Sequence, residues 1–216
     1  MRVVIAGGHG KIALRLERLL TLGGHQPVGL IRNAGQMGDL EEVGALPVVL
    51  DLEKAGVDEV AEVVRGADAV VFAAGAGPNS GAARKETVDR GAAALLADAA
   101  EQAGVRRYLM VSSMATDRAD PDSDDVFQVY LRAKAAADED LRRRGDLDWT
   151  IVQPGRLTDA PGTGRVTLDP TGQPREVTRD DVAATLLAAL EQERTIGKQL
   201  TLLNGDIPIA EALASV

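Results

Sequence analysis

The chain has no cysteine in its 216 residues, which excludes disulfides, thiolate metal centres and a cysteine nucleophile. Aromatic residues make up only 2 % (two Phe, two Tyr, one Trp), so the core must be aliphatic. The same scarcity argues against a carbohydrate-stacking platform. The two histidines, His9 and His25, offer no metal-ligand spacing. His25 follows two glycines and reads as a turn residue, and Trp149, at the start of an apolar run, reads as packing. No stretch approaches the ~18 apolar residues of a membrane span. The opening apolar run, Val3 to Ala6, is too short for a secretory signal. A net charge of −9 disfavours a nucleic-acid backbone or an anionic membrane as partner. These exclusions leave a soluble, cytoplasmic protein as the expectation, monomeric or weakly homodimeric.

What is present is regular. Apolar runs of strand length recur at 2–6, 27–31, 46–50, 67–74, 107–111, 149–152 and 199–203. Most are continuous rather than alternating, as in parallel strands covered on both faces. Helical patterns lie between them. Ile12, Leu16, Leu19 and Leu20 share one face before Gly23-Gly24, Val57 to Val64 repeat that pattern, and 82–103 and 124–144 read as longer alanine-rich helices. The second of these carries Asp138/Arg142, Glu139/Arg143 and Asp140/Arg144 at i,i+4, which explains its arginine run as surface pairing. The alternation predicts an α/β fold, a doubly wound Rossmann sheet, mostly parallel, over 1–216 as one domain with a small irregular C-terminal substrate-side region. Residues 115–125 read as an acidic, turn-rich loop, and 154–178 as an irregular excursion with short strands. If the acidic loop covered a pocket, its charge would disfavour anionic substrates.

The stretch AGGHGKIA follows the first strand and opens the first helix. It fits G-x-x-G-x-x-A through Gly7, Gly10 and Ala13, or G-x-G-x-x-A through Gly8. In either register, glycines let the backbone approach a pyrophosphate, and free N–H groups at the helix start face it. The second strand ends GLIRNAG, so Arg32 and Asn33 stand where an NAD site would carry an acid. Arginine there suits the 2′-phosphate of NADP, which makes NADP (NADPH) the favoured cofactor over NAD.

Tyr130 and Lys134 are four residues apart on a predicted helix and so emerge on one face. An ammonium near a phenol stabilises the phenolate, and such a pair can pass a proton to a substrate oxygen while a nicotinamide transfers hydride. Ser112 and Ser113 end the strand RYLMV at the expected ligand edge, where a hydroxyl could bind the reacting oxygen.

These residues resemble the atypical short-chain dehydrogenase/reductase superfamily, in its small NAD(P)-binding, NmrA-like, biliverdin-reductase-B-like and sugar-epimerase-like group. Further matching stretches are VVLDLE, VVFAAGAG, VDRGAAALLADAAEQAGVRRYLMVSSM, YLRAKAAADEDLRRRGDLDWTIVQPGRL and VTRDDVAATLLAAL. The resemblance favours the register of Gly7 and Gly10, with Gly8 as the extra glycine. It implies that Gly7, His9, Gly10, Lys11 and Ile12 surround the pyrophosphate, and that Arg32 and Asn33 meet the 2′-phosphate. Asp51 and Leu52 would edge the adenine, and Ala73, Ala74 and Gly75 the adenosine ribose. Ser113 would act with Tyr130 and Lys134, and Lys134 would also hold the nicotinamide ribose. Pro154, Gly155 and Leu157 would lie near the nicotinamide. Gln153 departs from the arginine usual before that Pro-Gly. The chain is also short for the substrate domain of true sugar epimerases. The resemblance implies an NADPH-dependent oxidoreductase acting on a small carbonyl or conjugated compound, or an NmrA-like NADP-binding redox sensor without turnover.

Overall fold

The structure is a computed structural model describing residues 1–77, 80–168, 171 and 175–216. Part of the expected irregular excursion 154–178, at 169–170 and 172–174, lies outside the described residues. The chain runs β1 (Arg2–Ala6), α1 (Lys11–Leu22), β2 (Gln26–Ile31), α2 (Met37–Glu42), β3 (Leu46–Val49), α3 (Val57–Val64) and β4 (Ala69–Phe72). A short α4 (Ala82–Arg84) passes through a π-helical segment, Lys85–Ala92, into α5 (Ala93–Ala103). There follow β5 (Arg107–Val111), α6 (Val126–Arg142), β6 (Asp148–Pro154), β7 (Arg156–Thr158), β8 (Arg165–Leu168) and β9 (Glu176–Thr178). The chain closes with α7 (Arg179–Leu190), β10 (Lys198–Asn204), β11 (Ile207–Pro208) and α8 (Ile209–Ala214).

Strands β3-β2-β1-β4-β5-β6-β10 pair in parallel, and β8 and β11 extend the far edge antiparallel. β7 and β9 form a separate parallel pair. The order reverses between β1 and β4, and at such a switch point the strand ends part and leave a crevice at their C-terminal edge. The expected α/β class and mostly parallel Rossmann sheet are observed.

Alternation along the strands divides the core into two layers. Val3, Ile5, Val71 and Leu109 face α1, α7 and α8, while Val4, Ala6, Val70, Phe72, Tyr108 and Met110 face α3, α5 and α6. Local chemistry sets the helix ends. The Asp125 carboxylate accepts from the N–H groups of Phe127 (2.9 Å) and Gln128 (3.2 Å) and starts α6. Gly104, at φ +73°, ends α5 in the left-handed conformation.

Two readings of the helices need correction. The stretch 82–103 is helical, but its middle is wound as π-helix rather than as one α-helix. Asp138 is not a surface partner of Arg142. It is buried beneath the sheet edge, where its carboxylate accepts from Gln153 (3.0 Å) and Thr116 (3.3 Å), and Arg142 pairs with Glu139 at 2.6 Å instead. Glu139/Arg143 and Asp140/Arg144 pair as expected, at 2.7 and 2.8 Å. Burial raises the Asp138 carboxyl above its ordinary range, against the pull of Ser112, Gln153 and Lys134.

Glu17, on the inner face of α1, is fully buried with neither carboxylate oxygen hydrogen-bonded among the described residues. Burial pushes its carboxyl up to about 8 from an ordinary 4.5, so it is largely protonated at neutral pH. Between those two values the folded state holds a proton that the unfolded chain has lost, so stability must fall as pH rises through this window. The Glu17→Gln variant is therefore expected to gain on the native protein between pH 5 and pH 8, by up to about 1.4 kcal/mol per pH unit. Urea unfolding at both values checks this. A stability difference independent of pH would contradict it.

Candidate dinucleotide site and adjoining cavities

The loop after β1 is held by backbone contact. Gly7 lies at φ +79°, and a Cβ there would stand 2.6 Å from the Cα of Ala74. Gly8 donates its N–H to the Leu30 carbonyl (2.9 Å), and a Cβ on it would meet the Gly29 Cα at 2.7 Å. Gly8 is therefore not a spare glycine, because it keys the loop against β2 as Gly7 keys it against the end of β4. Gly10 donates to the Gly7 carbonyl (2.7 Å) and precedes α1 with no side-chain cap. The opening N–H groups of α1 thus face outward over a glycine turn, a cradle that fits a pyrophosphate.

Three cavities follow along the C-terminal edge. The first, about 220 Å³, is lined by Gly7, His9, Gly10, Arg32, Asp51, Leu52, Ala73, Ala74 and Gly75 among the expected residues. His9 is fixed between the Gln36 amide (Nδ1, 3.0 Å) and the Asp39 carboxylate (Nε2, 2.5 Å). At the outer end, Arg84 forks onto Glu53 (2.6 and 3.4 Å), which also accepts from Thr87 (2.7 Å). Arg32 approaches the same carboxylate only to 3.9 Å. Arg84 holds the Glu53 carboxyl below its usual range, and Lys54 does the same for Asp51 at 3.0 Å.

The second cavity, about 610 Å³, shares Ala73 to Gly75 with the first and adds Ile12, Ser112, Tyr130, Lys134 and Leu157. Lys134 is buried, donates to the Val111 carbonyl (3.1 Å) and lies 3.4 Å from the buried Asp89. The other Asp89 oxygen accepts from the Ala76 N–H at 3.3 Å. Tyr130 does not contact Lys134 through a hydrogen bond among those described. The Lys85 ammonium instead stands 5.3 Å from the Tyr130 ring centre, tied to the Gly77 carbonyl at 2.6 Å. Tyr108, the other tyrosine, is fully buried with its hydroxyl on the Ala93 carbonyl (3.1 Å), and burial raises it further.

The third cavity, about 1090 Å³, carries Ser113, Pro154 and Gly155, with Tyr130, Leu157 and Ser112 shared from the second. The Ser113 hydroxyl donates to the Met114 carbonyl at 3.2 Å. Two expected residues line none of these cavities. Lys11 turns to Asp159 (2.7 Å), and the Asn33 side chain accepts from the Gly35 N–H (2.9 Å), capping a short 3-10 turn. Both are diverted by a nearer local partner. Sequence reasoning missed Arg84, Lys85 and Asp89. Lys85 and Asp89 are four apart on the π segment, a spacing visible in the chain but without the tyrosine-lysine chemistry that flagged Tyr130 and Lys134. Gln153, which stands in place of the family's usual arginine, is buried and donates to Thr116 (2.9 Å) and Asp138, bracing the end of β6. Among the described residues no group of three His, Asp or Glu could hold a metal ion. No helix there is long and apolar enough to cross a membrane.

A Rossmann sheet with a glycine cradle at its switch point is the architecture of a dinucleotide-binding protein. The NAD(P)H-binding family profile matches residues 7–193, and the chain belongs to that family. It is 36 % identical over 214 residues to the uncharacterised sugar epimerase YhfK of Bacillus subtilis, covering 99 % of each chain. A Bacillus halodurans structure provisionally named an NAD-dependent epimerase/dehydratase aligns over the whole of both chains at 40 % identity and a TM-score of 0.91. The oxidoreductase YlbE of Lactococcus lactis aligns at 28 % identity and a TM-score of 0.87, covering all of this chain and 96 % of its own.

Gly7 and Gly24 offer a paired test, since both have positive φ but nothing lies within 4 Å of a Cβ on Gly24. Gly7→Ala is expected to cost about 2–4 kcal/mol and to abolish dinucleotide binding, whereas Gly24→Ala should cost about 1 kcal/mol and leave binding intact. Urea unfolding and a fluorescence titration with NADPH check both.

Proposed function

We propose that the protein is an NADP(H)-dependent reductase of a small carbonyl or conjugated compound. One observation carries the reading: Tyr130 lines both larger cavities, so a single phenol faces the inner space continuous with the cradle and the outer space where a substrate would lie. When bound, the reduced nicotinamide supplies a hydride equivalent. The chain's own residues supply the rest. Tyr130 donates the proton that the substrate oxygen takes up, and Ser113 orients that oxygen. The cations of Lys134 and Lys85 stabilise the phenolate left behind. Asp89 and the Val111 carbonyl hold Lys134 in place. The name of the Lactococcus relative supports redox chemistry. An epimerase that works through a nicotinamide also removes and returns a hydride, so the Bacillus names are compatible with the same machinery.

Two features support NADP over NAD. Arg32 is 57 % exposed in its side chain and only loosely engaged, so it can turn onto a 2′-phosphate. Glu53, the acid that would favour a free ribose, is already taken by Arg84.

Fluorescence titration of NADPH, NADH and their oxidised forms should give at least a ~10-fold preference for NADPH, lost in Arg32→Ala. Equal affinity for NADH and NADPH would remove the NADP assignment. In a panel of carbonyl and conjugated substrates, Tyr130→Phe is expected to lower turnover by ~10²–10⁴-fold with NADPH affinity unchanged. A fully active Tyr130→Phe protein would overturn the proton-donor role. No NADPH oxidation with any small molecule, together with strong discrimination between NADP⁺ and NADPH, would favour the redox-sensor reading instead.

A further inference from the structure

The outer cavity has a chemical character that the hydride-transfer reading does not require. In a chain of net charge −9, four arginines line it, from four separate places: Arg118 after β5, Arg156 on β7, Arg175 before β9 and Arg179 at the start of α7. Glu176 is the one carboxylate that joins them in the wall. From the acidic loop 115–125 the wall takes Ala115 and Arg118, and none of its aspartates.

Three of these arginines have a carboxylate within ion-pair distance, Arg118 on Asp117 at 3.9 Å among them, and Asp159 is shared with Lys11 and Arg15. Glu176 pairs with Arg156, whose side chain is still 78 % exposed, and Asp159 receives Arg179 at 3.0 Å. No carboxylate among the described residues lies within ion-pair distance of Arg175. Apart from Ser112, Ser113 and Asn204, the remainder of the wall is apolar or aromatic. Phe127, 59 % exposed, stands 6.0 Å from the Tyr130 ring, so two of the five aromatic residues in the chain face this space. An exposed phenylalanine beside a cavity of about 1090 Å³ suits an extended or ring-bearing body rather than a simple aldehyde. Guanidinium forks match carboxylate and phosphate oxygens.

We propose that this cavity recognises an organic anion: an apolar, ring-bearing compound whose carboxylate or phosphate group is held by Arg156 and Arg175 while its reducible end lies at Tyr130 and Ser113. The proposal rests on the reductase reading for that reducible end, but the anion subsite is testable by binding alone. Failure of the reductase reading would appear in the Tyr130→Phe turnover, not here.

The probes are 1-naphthoate, 1-naphthyl phosphate and the neutral 1-naphthamide, titrated calorimetrically into the full chain with and without NADP⁺. Both anions are expected to bind at least ~10-fold more tightly than the amide, and to weaken as salt rises from about 0.05 to 0.5 M. Whichever anion binds more tightly identifies the acid group as carboxylate or phosphate. The Arg156→Gln/Arg175→Gln double variant should lose ~10-fold or more for the anions and change little for the amide. Its NADPH affinity and melting temperature should match the native protein, since neither residue lines the dinucleotide cavity. Arg65→Gln, a distant exposed arginine on Glu62, is the control for net charge. Equal binding of amide and anions, an equal loss in Arg65→Gln, or no binding of either anion would overturn the proposal.

Discussion

The contact on which the site depends is backbone against backbone. Gly7 lies against Ala74 and Gly8 against Gly29, so the ends of β1, β2 and β4 meet at distances that admit no Cβ. That closeness brings the start of α1 to the sheet edge, with its opening N–H groups unclaimed by any side chain. The rest of the ligand edge is arranged around this point. The residues after β4 wall the first two cavities, and α6 brings Tyr130 and Lys134 to the opposite side.

Beneath the second cavity the electrostatics are buried and local. Lys134 and Asp89 are both nearly inaccessible, and a pair of charges in that position persists only when further hydrogen bonds satisfy both partners. The Val111 carbonyl accepts from Lys134 and the Ala76 N–H reaches Asp89 Oδ2, while Asp89 Oδ1 has only the Lys134 ammonium beside it, at 3.4 Å. The result is a lysine with little freedom of its own, and a floor whose geometry is set by four backbone segments. On the neighbouring strand β6, Gln153 has a comparable bracing role. An arginine in its place would put a full positive charge beside Asp138. The neutral amide leaves that acid buried with its carboxyl raised by desolvation.

Much of this was legible in the sequence because it is periodic or short-range. Continuous apolar runs marked the parallel strands, and glycines between a strand and a helix marked the cradle. Y-x-x-x-K needed only the α-helical repeat to put both side chains on one face. What escaped depended on long-range placement. Nothing in the chain near Arg84 or Glu53 says that they meet across 31 residues. Arg118, Arg156, Arg175 and Arg179 look like scattered surface charges until the fold gathers them. Asp138 satisfied an i,i+4 rule that describes exposed helix faces, and burial overrode it. Lys11 and Asn33 sit where the motif requires, and each side chain has a partner within the protein, Asp159 and the Gly35 N–H.

The π-helical segment Lys85–Ala92 sets the phase of everything before it. Each residue of an α-helix advances the chain by roughly 100° about the axis, so loss of one residue there would let the segment rewind as ordinary α-helix and swing Lys85 away from the Tyr130 ring. The rewound helix would have the better backbone hydrogen bonds and the poorer cavity. Length in this stretch is thus constrained more tightly than composition: replacements that keep eight residues between Arg84 and Ala93 preserve the angle at which the lysine enters.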